Sequence, residues 1–214
     1  MEFEILRGKT LVALGDSLIY GNKLKNEATW VNKLGKKYGM TVYNHGKNGN
    51  TVAIQEKETA AEPMCVRYTK MEDQADYVVV LGGANDKRLD VPIGENDDTD
   101  PHTFKGALNT LITGLTAKYP RAKLLFLTNY NRWPGNNALG ISDLAYVDAM
   151  IAVCAKHAIP CFDNYRGSGI SFQNPAQLAW IDEGLSLGLP ENHHFSDEAY
   201  DWLLPKYAAL LAGL

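Results

Sequence analysis

Short apolar runs that recur along the whole chain constrain it more than any other feature. They are Leu11–Leu14, Met40–Tyr43, Tyr77–Leu81, Lys123–Thr128 and Ile159–Phe162. Each is too short for a helix, rich in aliphatic or β-branched residues, and broken by Gly, Asn, Asp or Pro, the pattern of a buried strand. Between them the period changes. In Thr29–Tyr38, Trp30, Val31 and Leu34 fall on one side and lysines on the other, as in a helix lying on a core. Phe104–Tyr119 repeats Leu108, Leu111, Ile112 and Leu115 at helical spacing and stops at Pro120. Leu144–His157 and Ser196–Ala212 read the same way. Asp197 and Glu198 complement the N-terminal dipole of the last helix, and Pro205 is expected to kink or divide it. Residues 52–75 read as an irregular helix interrupted by Pro63. Strand alternating with helix dictates a parallel sheet covered on both faces.

A chain of 214 residues, 45% hydrophobic and 21% charged, has enough apolar material for one α/β domain spanning 1–214. Its net charge of −4 argues against nucleic acid as a partner, because phosphates call for a basic face. No run approaches the roughly 18 apolar residues of a membrane span. The start, Met1-Glu2-Phe3-Glu4-Ile5, lacks the basic and apolar regions of a signal peptide, so a cytoplasmic location is expected. Cys65, Cys154 and Cys161 are scattered, without a CxxC pair or zinc-ligand spacing, and are expected as reduced thiols.

In a parallel sheet every strand ends at one edge, where ligands bind in open α/β folds. Three unusual loops fall there. The first is Gly15-Asp16-Ser17-Leu18, the second runs from Asn44 to Thr51, and the third is Gly82-Gly83-Ala84-Asn85-Asp86. Asp16 and Ser17 suit a helix cap as well as a nucleophilic turn, and the two readings are compatible. The backbone N–H groups of Ser17 and Gly49 and the Asn85 amide could form an oxyanion hole for acyl transfer. Glycine at 49 lets a substrate oxygen approach bare backbone. A general base must then come from elsewhere. His157 sits late in a helix, His102 next to Pro101 at the close of an acidic loop that begins at Asp90, and His45 among the second loop's residues. His193 and His194 precede the last helix and could fold back toward Ser17. The fourth loop, Asn129–Gly140, reads as a surface loop over the sheet edge.

Gly15-Asp16-Ser17-Leu18, Asn44-x-Gly46-x-x-Gly49, Gly83-x-Asn85-Asp86 and a late histidine before Phe195-Ser196 resemble, in order and position, the blocks of the SGNH (GDSL) hydrolases. The resemblance spans nearly the whole chain. It implies a flavodoxin-like three-layer α/β/α sandwich on a five-stranded, mostly parallel sheet. It also implies esterase, lipase, thioesterase or carbohydrate-deacetylase chemistry. The roles it implies are Ser17 as nucleophile, Ser17, Gly49 and Asn85 as oxyanion donors and a histidine as base, with no cofactor and no metal.

The family's last block is Asp-x-x-His, whereas here Glu191-Asn192-His193-His194 puts glutamate in the acid position. Tyr200 lies six residues beyond His194, where the family often has Gly-Tyr or Gly-His nearby, so the resemblance favours His194 over His193. A second frame, Asp182-Glu183-Gly184-Leu185-Ser186, resembles the same block with serine in place of histidine, leaving Asp182 or Glu183 as alternative acids to Glu191. The implied partner is a small-molecule ester, an acetylated sugar among the candidates. Tyr130, Arg132, Trp133, Phe172 and Trp180 are either pocket lining or packing on the sheet edge. The main alternative is a non-catalytic glycan- or acyl-binding module on the same fold. A nucleotide-binding protein fits less well, because Gly15-Asp16-Ser17 sets an acid where a phosphate loop would sit.

Overall fold

The computed structural model describes residues 3–22, 24, 28–57, 62–132, 135–181 and 194–214. Its strands are β1 (Thr10–Gly15), β2 (Thr41–Gly46), β3 (Tyr77–Leu81), β4 (Lys123–Leu127) and β5 (Cys161–Phe162). Its α-helices are α1 (Ser17–Tyr20), α2 (Trp30–Tyr38), α3 (Met64–Arg67), α4 (Ala84–Arg88), α5 (Phe104–Lys118), α6 (Asp143–Lys156), α7 (Asn164–Gly167) and α8 (Asp197–Ala212). The strands form one sheet in the order β2-β1-β3-β4-β5, and every pairing is parallel. This is the flavodoxin-like doubly wound order, whose crevice lies at the strand carboxyl ends.

Side chains alternate across the sheet with a period of two, and both faces are covered. Leu11, Ala13, Val79, Leu81, Leu125 and Leu127 face a layer that includes Trp30, Val31 and Leu34 of α2 and Leu203, Tyr207 and Leu211 of α8. Val12, Leu14, Val78, Val80 and Phe126 face Leu108, Leu111, Ile112 and Leu115 of α5 and Met150 and Val153 of α6. Each such fully buried aliphatic side chain stabilises the fold by about 1.5–3 kcal/mol. A charge at Val79 would therefore break the sheet's most enclosed strand.

Hydroxyl caps start the longer helices. Thr29, Thr103, Ser142 and Ser196 accept from the N–H groups of Asn32, Gly106, Ala145 and Ala199. Such caps contribute about 1 kcal/mol each. Pro205 lies within α8 without dividing it, contrary to one of the two outcomes expected for it.

Three boundaries differ from the sequence expectation. β2 runs on through Asn44, His45 and Gly46, because these pair with Ala13, Leu14 and Gly15 of β1. It is an edge strand, where polar side chains have solvent to face. β5 is shorter than expected, with only Cys161 and Phe162 paired to β4. Among the described residues between 52 and 75, the helical material is α3, which starts after Pro63, and a single 3-10 turn, Tyr68–Lys70. All three cysteines are free thiols.

Candidate active site

The register sets the sheet's carboxyl edge. Gly15 lies level with Gly46 on one side and Leu81 on the other, and Leu81 with Leu127. The loops that follow β1, β2 and β3 therefore leave adjacent strands at one height. Gly46 permits the first of them to pack: a Cβ there would fall 2.1 Å from the Tyr20 nitrogen. Asn44 ties the same two elements, donating from Nδ2 to the Ile19 carbonyl at 2.7 Å.

Ser17 is the first residue of α1 and is 6% exposed. Asp16 caps that helix, its Oδ1 accepting from the Leu18 N–H at 2.9 Å. The capping reading thus holds, and the cap fixes the turn that presents Ser17. Asp16 is wholly buried, which raises its pKa, while the charges of Arg132 and Arg67 and the Leu18 hydrogen bond pull the other way.

His194 Nε2 lies 2.8 Å from Ser17 Oγ. The histidine is held from behind. Phe195 is 1% exposed and packs against Tyr130, Phe172 and Tyr200 at centroid distances of 4.8, 5.3 and 5.5 Å. The Ser196 N–H donates to the Trp180 carbonyl, and Phe195 bridges Ile181. Tyr200 Oη donates to the Leu18 carbonyl at 2.8 Å, joining α8 to α1. Asn22 Nδ2 lies 3.3 Å from both ring nitrogens of His194, and Asn22 Oδ1 accepts from Asn48 Nδ2 at 3.0 Å.

Gly49 has φ of 70°, the left-handed region that glycine enters without strain. Asn85, 8% exposed in α4, donates from Nδ2 to the Asn50 carbonyl at 3.1 Å and accepts at Oδ1 from Arg88 Nε at 3.2 Å. Asp86, fully buried beside it, accepts at Oδ1 and Oδ2 from the Val52 N–H and at Oδ1 from the Ala53 N–H. Burial pushes the Asp86 carboxyl up to about 7 against those hydrogen bonds, which favour the ionised form. Arg67 of α3 is 4% exposed and reaches three acceptors: Asn50 Oδ1 at 2.8 Å, the His45 carbonyl at 2.6 Å and the Gly15 carbonyl at 2.7 Å.

The other described histidines are engaged elsewhere: His45 with Glu72 at 2.6 Å, His102 with Asp100 at 2.9 Å and His157 with Asn109 at 2.8 Å. Glu191, Asp182, Glu183, His193 and Trp133 lie outside the described residues. Of the aromatic and basic positions offered as pocket lining or sheet-edge packing, Tyr130, Arg132 and Phe172 are buried. Tyr130 hydrogen-bonds Tyr207, and Phe172 packs on Phe195 and lies 5.7 Å from the Arg132 guanidinium. Trp180 stacks with Trp202 at 5.2 Å. The start of the fourth loop is therefore interior, not surface, since Thr128, Asn129 and Tyr130 are at most 2% exposed. Arg67, Arg88, Asn22 and Asn48 were not singled out from the sequence. Only Arg67 carried a signal, a cation one residue from the apolar Met64-Cys65-Val66 run before the strongest strand.

Among the described residues, no group of three or more His, Cys, Asp or Glu side chains could hold a metal ion. No helix there is long and apolar enough to cross a membrane.

The model of the GDSL-like lipase/acylhydrolase family matches residues 13–202. One solved structure is 33% identical, with a TM-score of 0.87 and 98% of each chain covered. A protein from Lactobacillus plantarum is 27% identical, with a TM-score of 0.84 over 97% of this chain and 98% of that one. An inhibitor-bound aryl esterase from M. Smegmatis is 16% identical and shares the fold, with a TM-score of 0.70 over 96% and 99% of the two chains. Among curated proteins no match was found.

Proposed function

This chain belongs to the GDSL-like lipase/acylhydrolase family and is an ester hydrolase, and we propose that it works through an acyl-enzyme on Ser17. The observation that carries this reading is the 2.8 Å contact between His194 Nε2 and Ser17 Oγ at the carboxyl edge of β1. With Nε2 accepting from the serine, the imidazole proton sits on Nδ1, and an acid beside Nδ1 fixes that tautomer. We assign that acid to Glu191.

Ser17 Oγ attacks the ester carbonyl while its proton passes to His194 Nε2. The N–H groups of Ser17 and Gly49 and one Asn85 Nδ2 proton receive the oxyanion. The other Asn85 proton stays with the Asn50 carbonyl, which holds the amide in place. As the tetrahedral species collapses, His194 returns the proton to the leaving alcohol. Water, deprotonated by the same imidazole, then releases the acid. Removing one oxyanion donor costs about 100- to 1,000-fold in rate, so Asn85→Ala should lose that much while the nucleophile and base remain.

Among the described residues, those around the mouth of the site are polar or amphipathic. Asn48 and Arg88 are exposed there, with half-buried Asn22 and the ring of Tyr20, 56% exposed, beside them. Amides, a guanidinium and a phenol suit a short acyl group on a hydroxyl-rich alcohol better than a long acyl chain, and an acetylated sugar fits that description. The test is labelling by a fluorophosphonate and turnover of p-nitrophenyl acetate, each compared with Ser17→Ala. Acetylated sugars and p-nitrophenyl esters of increasing chain length then rank the substrates. Turnover by a folded Ser17→Ala protein would refute the nucleophile. An unlabelled wild type would favour a binding module.

A further inference from the structure

A cation enclosed in a protein interior is costly unless every donor is satisfied. Arg67 goes far toward meeting that demand, because each of its three nitrogens, Nε, Nη1 and Nη2, donates to a different residue. Nη2 holds the Gly15 carbonyl, two residues before Ser17. Nη1 holds the His45 carbonyl near the end of β2, where the loop to Gly49 begins. Nε holds the Asn50 side chain, and the Asn50 carbonyl in turn receives the Asn85 amide. The carbonyl of Gly15 is shared with the Lys47 N–H at 3.0 Å, which draws the first two loops together at the same point. Asp16, also buried, stabilises the guanidinium charge.

We propose that Arg67 is a positioning residue for the oxyanion hole, setting the three donors against one another through a single planar group. The inference rests on the catalytic reading above. The three donors, Ser17 N–H, Gly49 N–H and Asn85 Nδ2, each lie within two residues or one hydrogen bond of a residue that Arg67 grips. A displacement of about 1 Å in such a site costs roughly 100-fold in rate. Lysine cannot replace the fork, since its ammonium is one point charge on a flexible stem.

The test is a pair of double-mutant cycles on p-nitrophenyl acetate hydrolysis. Arg67→Lys should lower kcat about 100-fold with little change in KM. In an Asn85→Ala background the same substitution should cost less than about tenfold, because the donor it aligns is already gone. Effects that simply multiply would assign Arg67 to stability alone and overturn the proposal, as would an unchanged kcat. Should Arg67→Lys fail to fold, Asn50→Ala removes the Nε acceptor together with the Asn50 Nδ2 bond to the Glu62 carbonyl, and leaves the other two Arg67 contacts in place. It should lower kcat about tenfold and show the same shortfall against Asn85→Ala, and an unchanged kcat would again refute the role. Fluorophosphonate labelling of the wild type separates the two readings. Labelling with multiplicative effects sinks Arg67 alone, whereas no labelling sinks the catalytic site and this role with it.

Discussion

The buried carboxyl of Asp86 makes a prediction about stability that can be worked through. Two effects compete there. Removal from water disfavours the carboxylate, while the N–H groups of Val52 and Ala53 favour it. Burial wins, and the folded carboxyl titrates at about 7 rather than the ordinary 3.8. Because the folded value is raised, the native state binds a proton that the unfolded chain has already released at intermediate pH. The stabilisation is therefore complete below the unfolded value, declines as pH climbs through the interval, and is gone above about 7. Each pH unit corresponds to about 1.4 kcal/mol, so the whole interval is worth roughly 4 kcal/mol.

Asp86→Asn removes the titration. Both Val52 and Ala53 donate to Oδ1, so an amide oxygen there can retain both. Its NH2 group would face the Val52 nitrogen, at a cost of about 1–3 kcal/mol that does not depend on pH. Urea unfolding of both proteins from pH 4 to 8 isolates this residue, since other groups titrate equally in each. Relative to wild type, Asp86→Asn should gain about 4 kcal/mol from the acid to the alkaline end. A difference that is flat with pH would mean that the backbone N–H groups hold the carboxylate ionised throughout and would refute the reasoning.

Phe195→Ala should destabilise the fold by about 3–5 kcal/mol, read in the same urea assay, and should also lower kcat more than Phe172→Ala does. The second effect is expected because only Phe195 adjoins the base; equal kcat losses would show that the cluster is merely core. His194→Ala should be nearly as inactive as Ser17→Ala, whereas His193→Ala should keep most of its rate, measured on p-nitrophenyl acetate. Among Glu191→Gln, Asp182→Asn and Glu183→Gln, only the first should show the orienting defect of ~10- to 10,000-fold, and a large loss at either of the others would move the acid.

The strand-end residues were legible in the sequence for a physical reason. Each central strand is a run of aliphatic residues, so the Gly-Asp-Ser and Gly-Gly-Ala-Asn breaks stand out against it and mark the sheet edge directly. Periodicity also located α2, α5, α6 and α8, whose apolar stripes are strong. It failed where polar residues are interior or paired. Asn44 and His45 looked like loop because their side chains are polar, yet their backbone pairs with β1 at an edge. Asn129 and Arg132 belong to a loop that looked like surface, yet both are buried, with the Asn129 amide donating to Asp143 at 3.3 Å and the Arg132 guanidinium 5.7 Å from the Phe172 ring. The roles of Arg67 and Asn22 were not readable, because their partners lie at Gly15, His45, Asn50 and His194. Such contacts exist only once the strands are ordered and the last helix has docked.

The strand order has a consequence for how such an enzyme can diversify. β1 sits between β2 and β3, so the loops bearing Ser17, Gly49 and Asn85 are immediate neighbours and bind one another through Asn44, Asn50 and Asp86. The base arrives by another route, on the segment after β5, where His194 meets Ser17 and Tyr200 of α8 meets the Leu18 carbonyl. Nucleophile and oxyanion donors thus come with three adjacent strand ends, while the base joins them only when α8 docks on α1. Exchanges in the segment that brings the base need not pass through the linkages that hold the other three loops together.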